Sequence, residues 1–157
     1  MRARLAAAAA VIGVTVAADL LTKRWAARSF RDAPAVVVDP FLRFTFVENP
    51  GSAFSLFQGA GTLLALAAFV ALGMIAGALR RARGMGEVVG FALIGGGALG
   101  NLIDRIARGP GLLDGTVIDW IQVPNFPVFN LADSAITVGV GLLLITAWRQ
   151  SDRPDTG

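Results

Sequence analysis

The residues able to do chemistry in this chain are few, and most lie between Gly95 and Asp133. Within that stretch the carboxylates Asp104, Asp119 and Asp133 stand out, with the asparagines Asn101 and Asn130 and with Arg105. Asp19 and Lys23 add an acid and a base upstream, spaced i, i+4 and so on one helix face. The chain has no cysteine and no histidine. That excludes a disulfide framework, a thiol nucleophile and a Ser-His-Asp triad, and it argues against a zinc centre. Carboxylate chemistry remains, in which two acids brought together share a proton and activate a water. Asp119, between Ile118 and Trp120 with no adjacent base, is the acid whose pKa should be raised by desolvation.

The segments around these residues are too apolar for a soluble protein. Of 157 residues, 55% are hydrophobic and 16% charged, against about 25% charged in soluble domains. The net charge of +3 is small and scattered, so no nucleic-acid partner is expected. The length fits a single domain. Uncharged runs predict transmembrane helices at about 5–23, 61–79, 88–106 and 131–148. Between the first two, Val36-Val37-Val38, an Asp39-Pro40 turn and Phe41 to Val47 read as a short hairpin or sheet over about 35–48. Asn49-Pro50-Gly51 is a further turn signal. The expected fold is therefore an all-α membrane protein of four transmembrane helices with a small extracytoplasmic β-sheet and loop region.

Four spans place both termini on one side, together with the short Arg80, Arg81, Arg83 cluster. The positive-inside rule makes that side cytoplasmic. Measured from Arg4, Glu87 and Arg149 at 1.5 Å per residue, Asp19, Asp104 and Asp133 each lie roughly 22 to 26 Å across a core about 30 Å thick. Three helices thus bring a carboxylate to a similar depth, near the extracytoplasmic face. Gly95, Gly96, Gly97 and Gly100 would let the third helix approach its neighbours closely.

Several of these residues also have plainer readings. Asn130 with Asp133 three residues later resembles a helix N-cap pair. Asp104 beside Arg105 reads as a structural ion pair. Asp19 and Lys23 read as an interfacial pair with Lys23 snorkelling outward. The basic, then apolar, N-terminus resembles a secretory signal, although three more apolar segments follow. Two rival functions are open to the same residues: a Ser/Lys protease using Lys23 with Ser52, Ser55 or Ser134, and a proton-relay transporter. Transporter sites lie near mid-membrane, whereas these acids cluster near one interface.

The motifs in order are Asp19 with Thr22-Lys23, Asn49-Pro50-Gly51-Ser52-Ala53-Phe54-Ser55, Gly96 to Arg105, Val117-Ile118-Asp119-Trp120, and Phe129-Asn130-Leu131-Ala132-Asp133-Ser134. On a chain of this size they resemble the bacterial lipoprotein signal peptidases (signal peptidase II), over almost the whole length. Trp120 stands where that family more often has Phe, and the interval from Asp119 to Asp133 is short. The resemblance implies an aspartyl endopeptidase of the inner membrane that cuts prolipoproteins just before a diacylglyceryl-modified cysteine. It implies Asp119 and Asp133 as the catalytic dyad. Asn49, Gly51, Asn101, Asp104, Arg105, Asn130, Asp19 and Lys23 are implied as supporting or substrate-binding positions. It further implies that the β region cradles substrate at the membrane surface. The expected partners are the prolipoprotein signal peptide and membrane lipid; no metal or cofactor is expected, and the expected state is a monomer.

Overall fold

The computed structural model describes residues 1–51, 61–109 and 111–151. Among these described residues, four helices are long and apolar enough to cross a membrane: α1 (Arg2–Ser29), α2 (Gly61–Arg81), α3 (Met85–Ala107) and α4 (Leu131–Ser151). Strands β1 (Ala35–Val38) and β2 (Leu42–Asn49) follow α1, and β3 (Val117–Gln122) lies between α3 and α4. The three form one antiparallel sheet in the order β1-β2-β3.

Helix α3 is the hub of the bundle, packing against α4, α1 and α2. Its glycines allow this. A Cβ on Gly97 would collide with the Ala132 carbonyl oxygen of α4, and one on Gly100 would lie 2.6 Å from Asp19 Oδ2 of α1. The other three helices leave broad faces outward, with Leu63, Val70, Met74, Val138 and Leu144 exposed. Leu and Val facing outward along a span suit contact with lipid.

Helix α1 runs past the expected end near residue 23 and carries Trp25, Ala26 and Phe30 beyond the bundle. There Trp25, Phe30, Phe44 and Trp120 meet edge-to-face or tilted, with centroids 4.8 to 5.7 Å apart. Each such pair adds about 0.5–1.5 kcal/mol beyond burial. This cluster, with Ala26 and Ile118, seats the sheet on the end of α1.

Strand β3 is an element that the sequence pattern does not mark. The run Val117 to Gln122 is β-branched and aromatic, but its Asp sits in the middle, and its pairing partner β2 is far away in sequence. Strand alternation then fixes the direction of Asp119. Ile118 and Trp120 turn to the aromatic cluster, so Asp119 turns to the other face.

Candidate active site

Asp119 and Asn49 share one face of the β2–β3 ladder. Val47 pairs with Asp119 and Asn49 with Val117, so Asn49 is the diagonal neighbour of Asp119. Its Nδ2 donates to Asp119 Oδ2 at 2.8 Å. The Asn49 amide is oriented by Gly51, whose backbone N–H donates to Asn49 Oδ1 at 3.0 Å. Gly51 has φ 143°, a conformation that a side chain would strain. The turn that the sequence signalled therefore aims Asn49 at the acid.

Asp133 enters from the first turn of α4. Asn130 and Asp133 cap that helix reciprocally. The Asp133 N–H donates to Asn130 Oδ1 at 3.0 Å, and the Asn130 N–H donates to Asp133 Oδ2 at 3.2 Å. The plainer reading of this pair holds, and the same two side chains also face the other acids. Asn130 Nδ2 donates to Asp119 Oδ1 at 2.7 Å and to Asn101 Oδ1 at 3.1 Å. Asn101 Nδ2 donates to Asp133 Oδ1 at 2.8 Å. Asp119 and Asp133 are thus joined through two asparagines, one from α3 and one from the start of α4.

Asp119 is 3% exposed. Burial, helped by the nearby charge of Asp133, pushes its carboxyl up to about 6 against the opposing Asn49 and Asn130 hydrogen bonds and the Lys23 charge. An acid in this range exchanges protons near neutral pH.

Beneath the two acids lies a buried ionic layer. Lys23 is fully buried, with Nζ 2.7 Å from Asp19 Oδ2, 3.0 Å from Asp104 Oδ2 and 2.8 Å from Asn101 Oδ1. The Asp19–Lys23 pair exists, but it points into the bundle instead of snorkelling. Asp19 Oδ1 accepts the Ala132 N–H at 3.0 Å, which ties α1 to the start of α4. The expected Asp104–Arg105 pairing gives way to another. Asp104 Oδ1 accepts from Arg108 Nε at 2.7 Å, and Oδ2 takes the Ile118 N–H at 3.3 Å. Adjacent helical residues point apart, whereas i, i+4 residues meet. Asp104 therefore binds α1, α3 and β3 together.

Arg105 instead reaches Asn101 O at 3.4 Å, and its Nε has no partner among the described residues. Its charge lies within electrostatic reach of Asp119 and Asp133. Arg105 and Asn101 help line a cavity of about 300 Å³, together with Leu64, Ala68, Ala71 and Ile136 of the flanking helices. The Ser/Lys alternative loses its base: three acceptors occupy the Lys23 ammonium, and the Ser134 hydroxyl donates back to Asn130 O at 3.0 Å. Ser52 and Ser55 lie outside the described residues. Sequence reasoning missed Arg108, although its i, i+4 spacing from Asp104 would have found it.

The chain is similar to known proteins over most of its length. The signal peptidase (SPase) II family profile matches residues 11–149. The lipoprotein signal peptidase of Rhodococcus jostii is 40% identical over 139 residues, covering 86% of this chain and 69% of its own length. That of Thermosynechococcus vestitus is 40% identical over 144 residues, covering 88% of this chain and 89% of its own. A bacterial membrane enzyme solved by the in meso method at 2.3 Å resolution superposes with a TM-score of 0.83 at 26% identity, covering 97% of this chain and 93% of that one. A four-helix membrane protein whose profile match runs through both motif-bearing acids, this chain belongs to the signal peptidase II family.

Proposed function

We propose that this chain removes signal peptides from prolipoproteins by water attack, with Asp119 and Asp133 as the catalytic pair. The relatives named above are lipoprotein signal peptidases. The observation that carries the mechanism is the shared asparagine: Asn130 Nδ2 donates to Asp119, and its Oδ1 accepts the Asp133 N–H.

In the resting pair one acid is ionised and the other protonated, and any titration belongs to the two together. The ionised acid takes a proton from a water, whose oxygen adds to the scissile carbonyl carbon. The protonated acid gives its proton to the carbonyl oxygen, producing a neutral diol. In the second step a diol hydroxyl returns a proton to one acid, the other acid protonates the amide nitrogen, and the C–N bond breaks. The pair is then back in its one-proton state. Arg105 and the asparagines hold the substrate backbone or the acids.

The cut falls just before a diacylglyceryl-modified cysteine, whose chains lie against the apolar helices. The cavity lined by Asn101, Arg105 and apolar residues of the flanking helices supports a lipid-facing approach. The exposed Val36, Val37, Val38 and Phe41 support contact of the sheet with the membrane surface. Lys23, Asn101 and Asp133 all lie at the bundle end opposite the α2–α3 connection with its Arg cluster. With that connection and both termini cytoplasmic, the site opens near the extracytoplasmic face. The chain acts as a monomer in this reading.

The test is cleavage of a diacylglyceryl-modified prolipoprotein by the purified chain in lipid, beside the same protein left unmodified. Cutting before the lipidated cysteine is expected, with the unmodified form uncut. The latter lacks apolar contacts worth about 0.8 kcal/mol per buried CH₂. Equal cleavage of both forms removes the lipid requirement, and cleavage of neither removes the proposed function. Reporter fusions at Gly84 and at Asp32 check the orientation, active in the cytoplasm only at Gly84.

A further inference from the structure

We propose that Lys23 is a positioning residue whose ammonium sets the direction of the amide chain that donates to both catalytic aspartates. The proposal rests on the dyad reading above and adds a role for a residue that touches neither substrate nor dyad.

An ammonium has three hydrogens to donate and accepts nothing. Lys23 directs them at Asp19 Oδ2, Asp104 Oδ2 and Asn101 Oδ1, at 2.7, 3.0 and 2.8 Å. Lys23 is fully buried, so no water substitutes for these acceptors. The Asn101 amide therefore has one allowed orientation, oxygen to Lys23 and nitrogen to Asp133 Oδ1 at 2.8 Å. A flipped Asn101 would set N–H against the ammonium and an oxygen against the Asp133 carboxylate.

The constraint passes one step further. With its oxygen fixed, Asn101 requires a donor from Asn130, which supplies Nδ2 at 3.1 Å. The same Nδ2 donates to Asp119 Oδ1 at 2.7 Å, and the Asp133 N–H holds the Asn130 oxygen at 3.0 Å. Lys23 thus aims amide hydrogens at one oxygen of each acid, leaving the positions of Asp119 and Asp133 relative to a water defined. The other charges around these amides are Asp19 of α1, Asp104 and Arg105 of α3, Arg108 paired with Asp104, and the acids themselves. Asp19 and Asp104 flank the ammonium, neutralise it and hold it beneath Asn101.

A double-mutant cycle on the full-length chain tests this, with Lys23→Met, Asn101→Ala and both together, read as kcat and KM on the lipidated prolipoprotein per folded molecule. Lys23→Met should lower kcat about a hundredfold, as loss of positioning does, with KM within about twofold. In the Asn101→Ala background the same change should cost little more, because the two act as one unit. Lys23→Met leaves Asp19 and Asp104 without their cation, so Lys23→Met/Asp19→Asn serves as the charge-matched variant and should show the same kcat loss. Additive kcat effects, or a raised KM with kcat unchanged, overturn the proposal and make Lys23 a packing or substrate-binding residue. Wild-type cleavage and its loss in Asp119→Asn are measured alongside. If those hold and the cycle is additive, the relay alone fails; if Asp119→Asn stays active, the dyad reading fails and takes the relay with it.

Discussion

Asn130 Nδ2 lies 2.7 Å from Asp119 Oδ1, both side chains buried, at the point where β3 passes the start of α4. The two residues belong to separate motifs and to elements that fold by different rules, a strand edge and a helix cap. Their contact makes one site of an acid on the sheet and an acid in the bundle. A side chain that both caps α4 and holds Asp119 couples the correct packing of the sheet to the geometry of the pair.

The first prediction concerns the acids themselves. Asp119→Asn and Asp133→Asn keep size but cannot supply the carboxylate a shared proton needs. Each should lower kcat by at least about 10⁴-fold, with the double variant scarcely worse, because residues acting as a unit are strongly non-additive. The measurement is turnover per folded molecule, with folding checked by the fluorescence of Trp25 and Trp120. Retained turnover in either single variant removes that residue from the dyad.

Helix approach supplies the second. A Cβ at Gly97 meets the Ala132 carbonyl oxygen, whereas at Gly73 nothing lies within 4 Å. Gly97→Ala should destabilise by about 1–3 kcal/mol, since backbone cannot swing aside. It should also cost activity, because the displaced helix carries Asp133. Gly73→Ala should stay within about 0.5 kcal/mol of the parent. Thermal unfolding in detergent separates the two.

The spans were legible because lipid demands an uninterrupted apolar run, and each of the four helices has one. The Asn130–Asp133 cap was legible because it is local. Strand β3 was not: its strand character depends on pairing with β2, far away in the chain, and six residues with a central acid give a weak alternation signal. The partners of Asp104 were misjudged for a related reason. Arg105 is its neighbour in sequence, but Lys23 of another helix and Arg108 one turn on are its neighbours in space.

That placement gives the third prediction. Asp104 is 1% exposed and holds Lys23, Arg108 and the Ile118 N–H. Asp104→Asn leaves a buried ammonium short of an anion, a loss of about 3–5 kcal/mol. The variant should accumulate poorly and melt early, while what remains folded keeps measurable turnover. A well-folded but inactive Asp104→Asn beside an active Asp119→Asn would exchange their roles.

The last prediction follows from the burial of Asp119. Its folded pKa of about 6 stands above the 3.8 of an ordinary aspartate, so the folded state binds this proton more tightly than the unfolded one. Stability from this group is fully present below about pH 3.8 and is lost as pH rises through about 6. A shift of this size is worth roughly 3 kcal/mol across that window. Asp119→Asn carries no such charge and should lose nothing there. The melting temperature of Asp119→Asn should therefore gain on that of the parent between pH 4 and pH 7, and the gap should then level off. A gap that shrinks as pH rises would mean that the Asn49 and Asn130 hydrogen bonds outweigh burial, and that Asp119 is held as a carboxylate in the resting site.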